Sequence, residues 1–492
     1  MFERITPEQA GISSRKVVRL INTLNRRGLA THSILLMKGD KLFAEAYWEP
    51  FNKDFCHRMY SQTKSFVGIA IGLLEQDGLI DLDRPTHEYF EGRFDKEKLS
   101  KEVSEVTVRD MLMMHTAGEP SWWFTADAPD RTKFYFENPK PSRPTATHWK
   151  YDSAGSQVLS SLVEKISGKP LFEFLTERLF SKLGTFKTAS MLKTRNGDTW
   201  GDSAMLCTLR DLASFGRFCM KKGEWNGEQI LNNDYMTKAT TPQVSNFLCN
   251  HPANSHGYGY QIWITEQEGF SFNGMGCQYT ICLPKKDLLF CINSDNQGTV
   301  EATDIIFNAF FDFIADEMED APLAPDPEGE KLLAEAEKCQ LLRFMKGEKE
   351  TAYTKEISGK KFVCGKNPMG ITEFTLTFEG DEGVFAYKNE QGEKEIRFGL
   401  GKNVFGKFPQ LGYYGDYGGI DTTDGSMYDC AASAGWMEER KLILNVQIID
   451  RYFGNMFAEF SFKDDCVYLF MKRTAENFLN EYEGAAVAFE EK

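Results

Sequence analysis

"HRMYSQTKSFVGIAIGLLEQDGLIDLDRP", residues 57–85, sets Ser61 and Lys64 three positions apart at the head of a run apolar on every side. Residues 66–74 read Phe-Val-Gly-Ile-Ala-Ile-Gly-Leu-Leu, with no polar stripe, which predicts a helix buried all round. Gly68 and Gly72 weaken such a helix, so they predict close approach by neighbouring elements. If the helix starts at Ser61, Lys64 lies one turn on over the same face, with its amine in reach of the serine oxygen. An amine held out of water there can accept the serine proton, and free N–H groups at the helix start can face a negative oxygen. The plainer reading makes Ser61 an N-cap and lets Lys64 reach solvent. S-x-x-K also occurs at Ser13-Lys16, Ser190-Lys193 and Ser358-Lys361, so context must decide. None of those three precedes a helix buried on all sides.

Upstream, "SILLMKGDKLFAEAYW" (33–48) predicts a hairpin around Gly39-Asp40, after an amphipathic helix near Ser14–Leu24. Downstream, "TVRDMLMMH" (107–115), "SAGSQVLSSLVEKISG" (153–168) and "LRDLASFGRFCMKKG" (209–223) have helical spacing. Strands are predicted in "GYGYQIWI" (257–264), "QYTICLP" (278–284) and "LLFCINS" (288–294), then a helix from Thr303 to Glu317. Strands at both ends of a helical middle predict one α/β (α+β) unit over 1–320, its ends meeting in a largely antiparallel sheet. "APLAPDPEG" (321–329) reads as a linker, with a short helix to 345. Residues 346–492 alternate polar and apolar between turns and predict an antiparallel β-domain, sandwich or barrel.

The chain has 492 residues, 41% of them hydrophobic, enough for two cores. A net charge of −15 argues against nucleic acid or an anionic membrane as partner and favours a small molecule. No run approaches the roughly 20 apolar residues that span a bilayer. Glu3 and Glu8 stand where an export signal would be basic and then apolar, and the eleven cysteines lack C-x-x-C spacing. The expectation is a cytoplasmic protein with reduced thiols and no structural metal or cofactor; a homo-oligomer is left open. H-E-x-x-H, P-loop, Rossmann and G-x-S-x-G patterns are all absent.

The opening stretch, then "VTVRDMLMMHTAGEP", then "WKYDSAGSQVLSSLVEKISGKPLFEFLTERLFSKLG", resembles in order the serine β-lactamase and penicillin-recognising hydrolase family. The similarity covers roughly 1–320 and is nearest to the class C-like branch of esterases and amide hydrolases. It implies a β-lactamase-like domain with a helical subdomain, and it allows a lipocalin-like C-terminal domain. Catalysis through Ser61 as nucleophile, with Lys64 and Tyr151 as proton relay, follows from the resemblance. Tyr151-Asp152-Ser153 stands at the family's Y-x-N, with Ser153 in place of asparagine. Tyr387-Lys388-Asn389 matches those letters better but falls outside the similar region.

The family's K-T-G strand corresponds to "FNGMGCQYTICLP" (272–284), where Phe272-Asn273-Gly274 replaces it. By resemblance, the backbone N–H groups of Ser61 and Met275 form an oxyanion hole. Ser153, Phe272, Asn273 and Gly274 become substrate-binding candidates, joined by Trp122 and Trp123 from an aromatic loop (119–149) that also holds Phe124 and Tyr135. Phenylalanine at 272 cannot attract a carboxylate, which favours a small ester or uncharged amide over a β-lactam or a peptide C-terminus. A peptidase for D-amino-acid derivatives would need a polar anchor such as Asp127 or Asp152. A catalytically silent penicillin-binding-like protein is the alternative of another class. His115 suggests a Ser-His-Asp reading, but a histidine at a helix end is more simply structural, and Lys64 already supplies a base.

Overall fold

The computed structural model describes residues 2–118, 128–249, 251–338, 340–410, 427–475 and 478–491. The chain divides into two compact units, the first running through Leu341 and the second starting at Leu342.

In the first unit, Thr31–Lys38 and Lys41–Glu49 form the expected hairpin, turning through Gly39 at φ +58. Leu288–Ser294 pairs antiparallel with Thr31–Lys38, Phe290 opposite Leu36, so the two ends of the unit meet in one sheet. Gln278–Leu283, Gly269–Gly274 and Trp263–Thr265 continue it outward, each antiparallel to the last. Glu3–Arg4 and Gln340–Leu341 add short parallel pairings to Lys41–Glu49.

Successive side chains on a strand point to opposite faces, and here each face has its own core. Ile34, Leu36 and Phe290 pack with Leu20, Leu24 and Phe310 of the flanking helices Ser14–Arg26 and Ala302–Phe310. Leu35, Met37, Leu289 and Cys291 face the other core, which holds Phe66, Leu73 and Phe215. At about 1.5–3 kcal/mol for each fully buried large apolar side chain, these faces dominate the unit's stability.

The opening stretch folds as Thr63–Gln76, buried without interruption from Thr63 to Leu74. Both glycines mark close approaches. A Cβ on Gly68 would lie 2.7 Å from the Tyr260 carbonyl oxygen, and one on Gly72 would lie 2.4 Å from the Tyr235 ring.

Three expectations need correction. The helix starts at Thr63 and not at Ser61, which sits in the preceding 3-10 turn Tyr60–Gln62. Of 257–264 only the end is strand, as Trp263–Thr265, because Gln261 takes φ +59 and breaks the extended run. The segment read as linker and short helix packs onto the first unit. There Pro327–Lys338 buries Leu333, Arg15 pairs with Asp326 at 2.7 Å, and Gln340–Leu341 joins the sheet, so the unit extends past residue 320 to 341.

Among the described residues the second unit forms a closed barrel of nine strands, which decides between barrel and sandwich. Lys361–Cys364, Glu373–Glu379, Glu382–Asn389 and Gly392–Leu400 pair in succession, and Gly484–Glu490 joins Lys361–Cys364 on its other edge. Cys466–Ala475, Phe453–Lys463, Lys441–Ile449 and Asp429–Glu438 follow in turn. Gly399 opposite Ser433 closes the ring, and that one pairing is parallel where the whole domain was expected to be antiparallel. Phe374, Phe385 and Phe460 pack inside it. Tyr387 is buried there, its hydroxyl 2.9 Å from that of Tyr482, which accounts for the second Y-x-N as barrel packing. Among the described residues no helix is long and apolar enough to cross a membrane.

Candidate active site

Ser61 is presented by a turn that is unusual for its sequence. Tyr60, immediately before it, has φ +48, a region that side chains other than glycine rarely enter. The turn is held from both sides. The Arg58 guanidinium lies 4.4 Å from the Tyr60 ring centroid and its Nε donates to the Ser203 carbonyl at 3.1 Å. Thr63 Oγ1 donates to the Tyr60 carbonyl at 2.6 Å and accepts from Met205 N at 3.0 Å.

One turn later, Lys64 Nζ donates to Ser61 Oγ at 2.9 Å and to the Asp202 carbonyl oxygen at 2.8 Å. The amine also lies 3.8 Å from Asp202 Oδ2, with both side chains only 2% exposed. Lys64 therefore does not reach solvent, and Ser61 is not the helix N-cap, a position that belongs to Gln62. Burial pushes the Asp202 carboxyl above its usual range, and the charge of Lys64 pulls it back.

Tyr151 comes from the far side, its ring centroid 5.0 Å from Lys64 Nζ. It stacks on Trp263 with centroids 5.6 Å apart and planes 22° from parallel. The next residue fixes it in the chain. Asp152 caps Ser153–Ser167, accepting from Gly155 N at 2.8 Å and from Thr116 Oγ1 at 2.6 Å. The Asp152 carboxyl is pushed up, first by burial, with those hydrogen bonds acting the other way. Buried and bonded inward, Asp152 is not a free anchor for a substrate amine, while Asp127 lies outside the described residues.

Gln261 ties the surrounding helices together. Its carbonyl accepts from Ser65 Oγ at 2.8 Å, its Oε1 from Ser156 Oγ at 2.7 Å, and its Nε2 donates to the Met111 carbonyl at 2.8 Å. The left-handed backbone at Gln261 thus aims an amide at the helix bearing Lys64, the helix that follows Tyr151 and the helix that precedes His115.

The strand Gly269–Gly274 ends against the serine turn. A Cβ on Gly274 would come 2.3 Å from the Met59 carbonyl oxygen, so only glycine allows that approach. The turn beyond it uses Gly276 at φ +78 and Cys277 at φ +69, and Gln278 Nε2 donates to the Met275 carbonyl at 2.9 Å. Met275 is exposed at the tip.

The substrate-binding candidates separate. Phe272 is fully buried, 5.1 Å between centroids from Phe215 and 5.9 Å from Phe270. It is core and not a pocket wall, because alternation turns its side chain toward the helices. Asn273 Nδ2 donates to Asn254 Oδ1 at 2.8 Å. Ser153 is half-buried at the first position of its helix, and neither of Lys64's hydrogen bonds goes to it. Trp122, Trp123 and Phe124 lie outside the described residues, and Tyr135 is buried in the core.

A cavity of about 910 Å³ opens beside Tyr151 and Trp263. His115, His148 and Lys150 form part of its wall, with Phe247 and Leu248 from a segment the sequence did not single out. Those two apolar side chains are 76% and 79% exposed. Ser61 and Lys64 are not on that wall, while His115 is. Burial lowers the His115 imidazole below its ordinary value. Among the described residues no group of three His, Cys, Asp or Glu is placed to hold a metal ion.

The Beta-lactamase family model matches residues 16–309. The 6-aminohexanoate-dimer hydrolase of Paenarthrobacter ureafaciens is 26% identical over 267 residues, covering 50% of this chain and 67% of that protein. A solved structure provisionally assigned as a 6-aminohexanoate-dimer hydrolase from Bacillus anthracis has a TM-score of 0.54 at 22% identity, over 65% of this chain and 89% of its own. A structure named SurE aligns with 97% of this chain and 99% of its own at TM-score 0.50 and 11% identity, a likeness of fold alone. With more than half its length matched, the chain belongs to the Beta-lactamase family, whose fold its first unit has.

Proposed function

We propose that this protein is a serine hydrolase that works through an acyl-enzyme on a small ester or amide. The observation that carries the reading is the buried Lys64 amine hydrogen-bonded to Ser61 Oγ at 2.9 Å under the ring of Tyr151. Ser61 Oγ attacks the carbonyl carbon as its proton passes to the amine, and the tetrahedral oxygen is held by the N–H groups of Ser61 and Met275. Lys64 and Tyr151 return the proton to the leaving group, and water then releases the acyl group by the same relay. An amide is favoured among substrates because the chain is similar to a 6-aminohexanoate-dimer hydrolase.

The test is turnover. Purified protein is assayed with 6-aminohexanoate dimer, a short-chain nitrophenyl ester and a chromogenic cephalosporin, beside Ser61→Ala. Ester or amide cleavage that disappears in Ser61→Ala supports the reading; preferred hydrolysis of the cephalosporin, or activity unchanged in the variant, overturns it.

A further inference from the structure

The environment of Lys64 contains a group that the proton relay above does not use. Asp202 lies in the turn before the strand Met205–Cys207, and both its backbone and its side chain face the amine. The carbonyl accepts from Nζ at 2.8 Å and the carboxylate stands 3.8 Å away. Neither side chain reaches water, so the carboxylate's charge is poorly screened from the ammonium. The aspartate is not there as a helix cap or a surface charge. Other charged groups act on it too: Arg58 from the strand His57–Arg58 and Arg131 from the start of Arg131–Glu137. Asp152 lies across the site beyond Tyr151 and also feels Lys64.

Resting on the serine-hydrolase reading, we propose that Asp202 is a positioning residue for Lys64, aiming the amine at Ser61 and countering the positive charge it gains when it takes the serine proton. A nucleophile, a base hydrogen-bonded to it and a third group behind the base form the logic of a triad, here with lysine in the middle. In acylation the Ser61 Oγ–H bond breaks, Oγ bonds to the carbonyl carbon, and the proton passes to Lys64 Nζ in the fraction of protein that has released a proton from the amine, restoring the ammonium. That new charge forms in a site closed to water, where a carboxylate 3.8 Å away opposes the cost of burying it. Ser153, at the family's asparagine position, makes neither of the amine's hydrogen bonds; one of them goes to the Asp202 backbone carbonyl, which brings the Asp202 carboxylate to 3.8 Å from the amine.

The pH dependence of Ser61 labelling by a fluorophosphonate reads this without a known substrate. In that reaction Oγ bonds to phosphorus, fluoride leaves and the proton goes to Lys64. Asp202→Asn and Asp202→Ser are compared with wild type, with circular dichroism and melting temperature as folding controls. The expected result is labelling slowed at least tenfold, with the acid limb of the rate profile moved to lower pH because the ammonium has lost its counter-charge. Wild-type rates with an unmoved profile in either variant overturn the proposal, since a merely structural role would not shift the limb. If neither variant folds, Lys64→Met decides. The loss of stability should grow with rising pH, because the stranded carboxylate is costly only when ionised, and a loss that is the same at every pH overturns the proposal. Absence of labelling in wild type fails the serine-hydrolase reading instead, and the Lys64→Met comparison still judges the charge coupling.

Discussion

The ring of Tyr151 lies 22° from parallel with the indole of Trp263, so the phenol is held by stacking on a strand that the sheet fixes. Stacked aromatic pairs are worth about 0.5–1.5 kcal/mol beyond their buried area. Trp263→Ala should therefore lower kcat by several-fold to about tenfold while the protein stays folded, since each 1.4 kcal/mol is about a factor of ten. Tyr151→Phe keeps the stack and removes the hydroxyl. It should cost about 10²-fold or more, the usual range for a lost acid–base group. Steady-state kinetics on an ester checks both, and a milder effect in Tyr151→Phe than in Trp263→Ala would remove Tyr151 from the relay.

Asp152 acts one residue along, through the backbone. Asp152→Ala removes the cap of Ser153–Ser167 and the acceptor for Thr116, and should destabilise the protein by about 1–2 kcal/mol. Asp152→Asn keeps the cap oxygen and should lose less. Urea denaturation of both variants measures the difference.

Gly72 and Gly68 test the packing behind Lys64. Gly72→Ala should destabilise by about 1–3 kcal/mol, because the Tyr235 ring 2.4 Å from the new Cβ has to shift. Gly68→Ala should be worse, since its obstacle is the backbone carbonyl of Tyr260, which cannot rotate away. Melting temperatures of the two variants give the order.

His32 and His57 form a buried pair, Nδ1 to Nε2 at 2.8 Å, and burial holds the His57 imidazole down to about 3 and lowers His32 as well. Below the ordinary imidazole value of about 6.5 the unfolded chain binds protons that the folded one refuses. Stability should thus be full above about pH 6.5 and fall as the pH drops from there toward 3. His57→Gln should flatten that slope, which denaturation at a series of pH values would show.

The legible parts of this protein are those written in local pattern. The all-round apolar helix, the hairpin at Gly39-Asp40, the glycines packed at Tyr235 and Tyr260, and the meeting of both ends of the first unit in one sheet follow from periodicity and turn chemistry. Asp202, Gln261 and Trp263 are not legible, because each matters through a partner distant in sequence. A lysine only 2% exposed does require nearby polar partners, and that requirement is the available signal for Asp202. Phe272 is misjudged as a site residue when its motif position is read without the strand's alternation, which turns it into the core. A boundary near 321 is misplaced because the proline-rich segment looks like a linker, while Leu333 and the Arg15–Asp326 pair bind the helix Pro327–Lys338 to the first unit.

Whether Ser61 is a nucleophile activated by Lys64 is decided by intact-mass measurement after incubation with a fluorophosphonate. The expected result is one adduct on the wild-type protein, mapped to the peptide containing Ser61, and none on Ser61→Ala or Lys64→Met. An unmodified wild-type protein, or an adduct that persists in Ser61→Ala, would contradict it.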